Sequence, residues 1–248
     1  MLALIAAVPL ETAWLRTFLT PLEVRHCAGL PLYRGRCFGQ TLLLLHSGPG
    51  KANAAAALAA LLETNRPEAV ILFGCGGAIP GSGLEIGDLA LATEEVFGDE
   101  GVLTDSGFMD LQQMELTQLH HDGRSYFNRF PLDRGLQQKT LSLLEYHASL
   151  RKRRLVSGPF VTVSCCTGTD SGGLELARRT GGICENMEGA AAALVCTRYR
   201  VPLLEIRGIS NLAAQRDRAS WDLKGASLAA QEAVAAILEE WSPTERRA

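Results

Sequence analysis

Several short stretches of the chain hold residue types that can do chemistry, and each sits where an apolar run gives way to polar or glycine-rich residues. They are Glu11, SGPGKANAAAA at 47–57, GCGGAIPGSGLEIGD at 74–88, ENMEGAAAA at 185–193 and RGISN at 207–211. In ENMEGAAAA, Glu188 stands at the start of a run of small residues that suits a tightly packed helix. An acidic side chain beside Met187 and Gly189 has no evident core role there. A carboxylate can accept two hydrogen bonds from a vicinal diol, which is what a ribose requires, although a first-turn carboxylate also stabilises a helix N-terminus. In RGISN, Ser210 and Asn211 end an apolar run and suit either a turn or a polar contact. The glycines around Gly76 let backbone approach a ligand closely, or simply make a turn. Ser47–Lys51 could present free N–H groups to an anion at a helix start, or serve as a tight turn.

Familiar nucleotide motifs are absent. The G-x-x-x-x-G-K-[ST] spacing does not occur around Lys51, and the 74–88 glycines lead into another apolar run rather than a helix, so neither a P-loop nor a dinucleotide fingerprint is formed. The five histidines show no spacing such as H-E-x-x-H, which disfavours a zinc hydrolase, and no cofactor is implied.

The elements that must position these residues read as an α/β protein. Apolar strand-like runs at 2–8, 32–38, 40–46, 69–73, 88–96, 155–164 and 202–209 alternate with helix-like stretches at 11–19, 51–64, 136–146, 188–199 and 223–240. In open α/β sheets, ligands gather outside strand ends, where the singled-out residues lie. Segment 98–133 is the least periodic and is expected to be a long loop with a short helix, the kind of loop that is usually functional. One domain is expected over 1–241, with a polar tail at 242–248.

The chain has 248 residues, of which 47% are hydrophobic and 21% charged, with a formal net charge of −3, so a sizeable core can be buried. Its one dense basic run, Arg151–Arg154, leads into an apolar strand and reads as a helix terminus rather than a nucleic-acid patch. MLALIAAVPLE has no basic region before its apolar residues and reads as a buried strand; no apolar run approaches the ~20 residues that span a bilayer. Seven scattered cysteines, an odd number without metal-site spacing, suit a reducing cytoplasm.

In this order and spacing, the strand leading to Glu11, Gly48–Ala55, the glycine segment ending Ile86-Gly87-Asp88, Met187-Glu188-Gly189 and Arg207–Asn211 together resemble the nucleoside phosphorylase and methylthioadenosine/adenosylhomocysteine nucleosidase superfamily. ENMEGAA and RGISN look most like its futalosine hydrolases, a branch that acts in the alternative menaquinone pathway. The resemblance implies a three-layer α/β/α sandwich around a mixed, partly barrel-like sheet. It also implies homo-oligomers, a small purine nucleoside as partner, and no role for nucleic acid or membrane.

Carried over residue by residue, Glu11 matches the carboxylate that activates water and Glu188 the one that grips the ribose hydroxyls. Met187 would pack beneath the sugar, Asn211 would bond the purine with Ser210 orienting it, and Cys166 and Thr167 would touch the base. Two departures carry information. Nucleosidases for adenine nucleosides have aspartate where Asn211 stands, and an amide that can donate to O6 and N7 favours a 6-oxopurine. Phosphorylases hold phosphate with an arginine before the glycine segment, but no arginine lies within Ala69–Ser82, so water is the expected nucleophile. Asn186 also replaces a glutamate of many relatives. The alternatives are an adenine-nucleoside nucleosidase, a purine phosphorylase, and a nucleoside-binding domain without chemistry. For the aromatic carboxylate beyond the ribose of futalosine, 98–133 offers His120, His121 and Arg124, which are equally read as exposed loop residues.

Overall fold

The structure is a computed structural model that describes residues 1–241; the polar tail expected at 242–248 lies outside the described residues. The chain runs β1 (Leu2–Ala6), β2 (Thr20–Cys27), β3 (Leu30–Cys37), β4 (Gln40–His46), α1 (Lys51–Thr64), β5 (Val70–Ala78) and β6 (Leu89–Phe97). Short strands follow as β7 (Gly101–Thr104), β8 (Gly107–Asp110), β9 (Leu119–His121), β10 (Arg124–Tyr126) and β11 (Arg129–Pro131). It ends with α2 (Arg134–Leu150), β12 (Leu155–Thr162), α3 (Asp170–Thr180), β13 (Cys184–Asn186), α4 (Gly189–Tyr199), β14 (Leu203–Leu212) and α5 (Leu223–Glu240).

The described residues form a ten-stranded mixed sheet in the order β11-β6-β12-β13-β5-β1-β4-β3-β2, with β14 parallel to β5 and antiparallel to β6. Because β14 joins β5 to β6, the strands β5, β13, β12, β6 and β14 close a ring, while β1 to β4 extend from it as an open wing. This is the partly barrel-like sheet expected. Leu58 and Leu61 of α1 and Ala190 and Val195 of α4 share one apolar cluster. Leu136 and Leu144 of α2 and Val234 and Ile237 of α5 share another. The two clusters give the three α/β/α layers.

Three elements differ from the sequence expectation. Residues 11–19 do not form one helix but two 3-10 turns, Pro9–Thr12 and Leu15–Phe18. The 98–133 segment contains no helix; it folds into the β7–β8 and β9–β10 hairpins and the edge strand β11. The glycine run at 74–78 is not a turn but the end of β5. Glycine inside a strand marks a close approach, and here a Cβ on Gly74 would lie 2.3 Å from Glu11 Oε1. The basic run does end a helix: Arg151 is the residue that terminates α2, and Arg151 and Arg153 both pair with Glu232 of α5. Among the described residues, no helix is long and apolar enough to cross a membrane.

Candidate active site

A cavity of about 250 Å³ opens at the ends of β1, β5 and β14 and at the loop after β12. All eight residues singled out above line it: Glu11, Gly76, Cys166, Thr167, Met187, Glu188, Ser210 and Asn211. It is also lined by Glu185, Arg207, Arg216 and Trp221, which the sequence reading did not single out.

Glu11 is held by the turn that carries it. Pro9 at the turn's start fixes the backbone, and Glu11 Oε2 accepts from the N–H of Ala7 (3.0 Å) and of Val8 (3.2 Å), so the cap of the turn is also the clamp on the carboxylate. Oε1 accepts from the Cys75 N–H at 2.8 Å, across the bare Cα of Gly74. Burial pushes the pKa of Glu11 up, with Arg207 and the Cys75 and Val8 N–H groups pulling against it. The result is a desolvated carboxylate of enhanced basicity facing the cavity, as a general base toward water requires.

Glu188 precedes α4 without capping it. Asn186 Oδ1 accepts from the N–H groups of Glu188 (2.9 Å) and Gly189 (2.7 Å), and Thr162 Oγ1 accepts from Ala190 N–H (2.7 Å). Those side chains satisfy the helix start, which leaves the Glu188 carboxylate free for other partners. It takes the Gly50 N–H on Oε1 (2.9 Å), and Oε2 lies 3.3 Å from Arg207 Nη1. The anion met by the 47–51 glycine turn is therefore the chain's own Glu188. Lys51 is turned away to Asp99 and Glu100.

Asn211 owes its aim to a β-bulge. Ile209 pairs with Gly76 and Asn211 with Gly77, so Ser210 is the extra residue, and such bulges re-aim side chains. Ser210 Oγ donates to Asn211 Oδ1 (2.8 Å), and Asn211 Nδ2 donates to the Leu212 carbonyl (3.1 Å). The amide nitrogen is thereby distinguished from its oxygen, and its second hydrogen remains for a ligand.

Behind the cavity lies a polar cluster that sequence reading passed over. Arg207 is 1% exposed, and its Nε donates to Glu205 Oε1 at 2.9 Å while Nη1 donates to the Cys75 carbonyl at 3.2 Å. Burial opposes its charge, but Glu205, Glu188 and Glu11 more than offset that and raise its pKa. Glu95 completes the cluster, accepting from Thr162 Oγ1 (2.7 Å) and Asn186 Nδ2 (2.6 Å). Glu95 Oε1 and Glu205 Oε2 converge beneath Gly189, where a Cβ would sit 2.0 and 2.5 Å from them. Such a contact requires a proton between the carboxyls, and burial together with Glu205 pushes the pKa of Glu95 well up. The available signal was two charged residues, Glu205 and Arg207, inside an otherwise apolar strand, since buried charges must be paired.

Because the folded chain holds the Glu95 proton more tightly than the unfolded one, the stabilisation it brings is complete below the ordinary carboxyl value of 4.5 and is lost as pH rises through the higher folded value. Glu95→Gln, which keeps a donor toward Glu205 at every pH, is expected to flatten the decline in urea-unfolding free energy from pH 5 to pH 9. An unchanged slope would show that Glu95 does not carry that proton.

The cysteines at the cavity are not poised as nucleophiles: burial pushes the Cys75 thiol up to about 12 and also raises that of Cys166. His120, His121 and Arg124 do not line the cavity. They sit on the β9–β10 hairpin, where His121 faces Asp122 and Arg200 at a different opening of the molecule.

This fold and this cavity belong to a known class. The Phosphorylase superfamily pattern matches residues 1–241, and the chain belongs to that family. It is 38% identical over 234 residues to a futalosine hydrolase of Thermus thermophilus, covering 92% of this chain and 96% of the relative. It is 30% identical over 246 residues to a 5'-methylthioadenosine/S-adenosylhomocysteine nucleosidase of Psychromonas ingrahamii, covering 94% and 97%. A solved 5'-methylthioadenosine/S-adenosylhomocysteine nucleosidase from Neisseria meningitidis, in complex with methylthio-immucillin-A, shares the fold with a TM-score of 0.81 at 24% identity, over 97% of this chain and 99% of that one.

Proposed function

We propose that residues 1–241 act as one catalytic unit that hydrolyses the N-glycosidic bond of futalosine, releasing hypoxanthine and dehypoxanthine futalosine for menaquinone synthesis. The carrying observation is the convergence of Glu11, the Arg207-paired Glu188 and the bulge-aimed Asn211 on one cavity. In this reading Glu188 accepts from the ribose hydroxyls with Met187 beneath the sugar, and Cys166, Thr167 and the Gly76 backbone border the base. Glu11 takes a proton from a water whose oxygen bonds to the anomeric carbon. As that bond forms, the bond from the anomeric carbon to the purine nitrogen breaks and its electrons pass to the base. Asn211 Nδ2 donates toward O6 and N7, where that charge develops, which stabilises the transition state; a solvent water supplies the proton that neutralises the leaving base. The protein acts in the cytoplasm as a homo-oligomer, and the exposed Leu103 and Leu116 of the 98–133 segment offer apolar surface for contact between copies.

Hypoxanthine release from futalosine in phosphate-free buffer tests the reaction. An absolute need for phosphate would make it a phosphorylase instead. The adenine-nucleoside reading makes an opposite prediction at residue 211. Asn211→Asp supplies an acid for N7 and an acceptor for a 6-amino group, so the 6-oxo over 6-amino preference in kcat/KM is expected to fall by about 10²-fold, the scale set by unpaired buried polar groups. An unchanged preference would remove Asn211 as a reader of the base.

A further inference from the structure

Glu185 has no part in the reaction just described, yet it lines the same cavity at 6% exposure. Its place is set by register. β5 lies between β13 and β14, and a single residue, Gly77, pairs with Glu185 on one side and with Asn211 on the other. Residues paired across neighbouring strands present their side chains to the same face, so Glu185 and Asn211 face the cavity from two sides of Gly77, two strand spacings or about 9–10 Å apart. Gly77 adds nothing between them, and a Cβ there would already press to 3.0 Å on Asn211 Nδ2. The result is a slot the width of a planar bicyclic base, with an amide donor on one wall and a carboxylate on the other.

The carboxylate is fixed as an acceptor. Both oxygens lie 3.1 Å from the Thr167 N–H, and Thr167 Oγ1 donates to Oε2. Burial raises the pKa of Glu185, while the Thr167 donors and the nearby Arg216 charge pull it back toward the ionised form. An ionised carboxylate has about four acceptor positions, so capacity remains on the cavity side.

We infer that Glu185 is a specificity-determining residue that accepts a hydrogen bond from the lactam N1–H of a 6-oxopurine, reading the base edge opposite the one offered to Asn211. This rests on the proposed base slot. A 6-oxopurine presents acceptors at O6 and N7 and a donor at N1, which complements an amide N–H on one wall and a carboxylate on the other. A 6-aminopurine presents an acceptor at N1, so two acceptors would face each other in a desolvated slot with no donor for either.

The test measures binding of the free bases hypoxanthine, 1-methylhypoxanthine and adenine to the full chain by calorimetry, with kcat/KM for futalosine and its 6-amino analogue, in wild type and Glu185→Gln. Wild type is expected to bind hypoxanthine about 10²-fold more tightly than either other base. In E185Q, whose amide can accept or donate, adenine is expected to come within a few-fold of hypoxanthine and the 6-oxo to 6-amino kcat/KM ratio to fall by about tenfold or more. Comparable wild-type binding of hypoxanthine and 1-methylhypoxanthine would overturn the inference without any variant. So would an E185Q enzyme that discriminates as strongly as wild type, since the wall would then be steric. Absence of base release from futalosine by wild type, with base discrimination intact and lost in E185Q, would overturn the proposed reaction and leave this inference standing.

Discussion

Glu11→Gln is expected to lower kcat by about 10²–10⁴-fold, the usual contribution of a positioned general base. Glutamine keeps the length of the side chain, and its oxygen can still accept from the Ala7 and Val8 N–H groups, so the turn should persist. Its amide nitrogen, however, has no basicity to offer a water and would face the Cys75 N–H where Oε1 now accepts. Hypoxanthine affinity should change little, because nothing at Glu11 borders the proposed base slot. The wild-type pH profile should agree: the base works only when ionised, so kcat is lost as pH falls, and the midpoint should lie above 4.5 because burial raises the Glu11 pKa. Steady-state kinetics across pH would check both parts. A Glu11→Gln variant within tenfold of wild type would mean that the water is activated elsewhere.

Arg207→Met is expected to cost stability on a larger scale than any surface change. Arg207 and Glu205 are each at most 1% exposed, and Glu188 is 4% exposed. Removing the cation strands Glu205 and Glu188 without a counter-charge, and breaking a buried pair from one side typically costs about 3–5 kcal/mol. For a chain of this size that is a fall in Tm of roughly 6–20 °C. Adding Glu205→Leu to Arg207→Met should recover a substantial part, since one of the stranded charges is then removed as well. Calorimetric melting of the two variants distinguishes this from simple loss of side-chain packing. A single variant that melts with wild type would show that the carboxylates find other partners.

Local patterns exposed much of the framework. The small-residue helix over Lys51–Thr64 and the closing helix over Leu223–Glu240 are written in unbroken runs of good helix formers, and the structure places them at those bounds. Glu11, Glu188 and Asn211 stood out because each is a polar residue at the end of an apolar run, where side chains meet solvent or ligand rather than core. Other elements left no such trace. β2 reads TPLEVRHC and is largely exposed, so its pattern carries little alternation, and it forms because β3 offers it an edge. β13 is only Cys184–Asn186 and exists because β12 and β5 flank it. α3 begins with two polar residues and two glycines, a weak helix start stabilised by the Thr169 cap.

The amino-acid sequence by itself determined the α/β class, the polar residues at the strand ends and the amide in place of an acid at Asn211, because these follow from residue chemistry and short-range periodicity. Only the tertiary structure decided that β5 runs on through its glycines to admit Glu11, and that Asn186 rather than Glu188 caps α4. Nor could spacing along the chain reveal the proton shared by Glu95 and Glu205 or the facing of Glu185 and Asn211 across Gly77. Those features depend on strand register and on which charges share a desolvated space, and both arise from contacts between residues far apart in the chain.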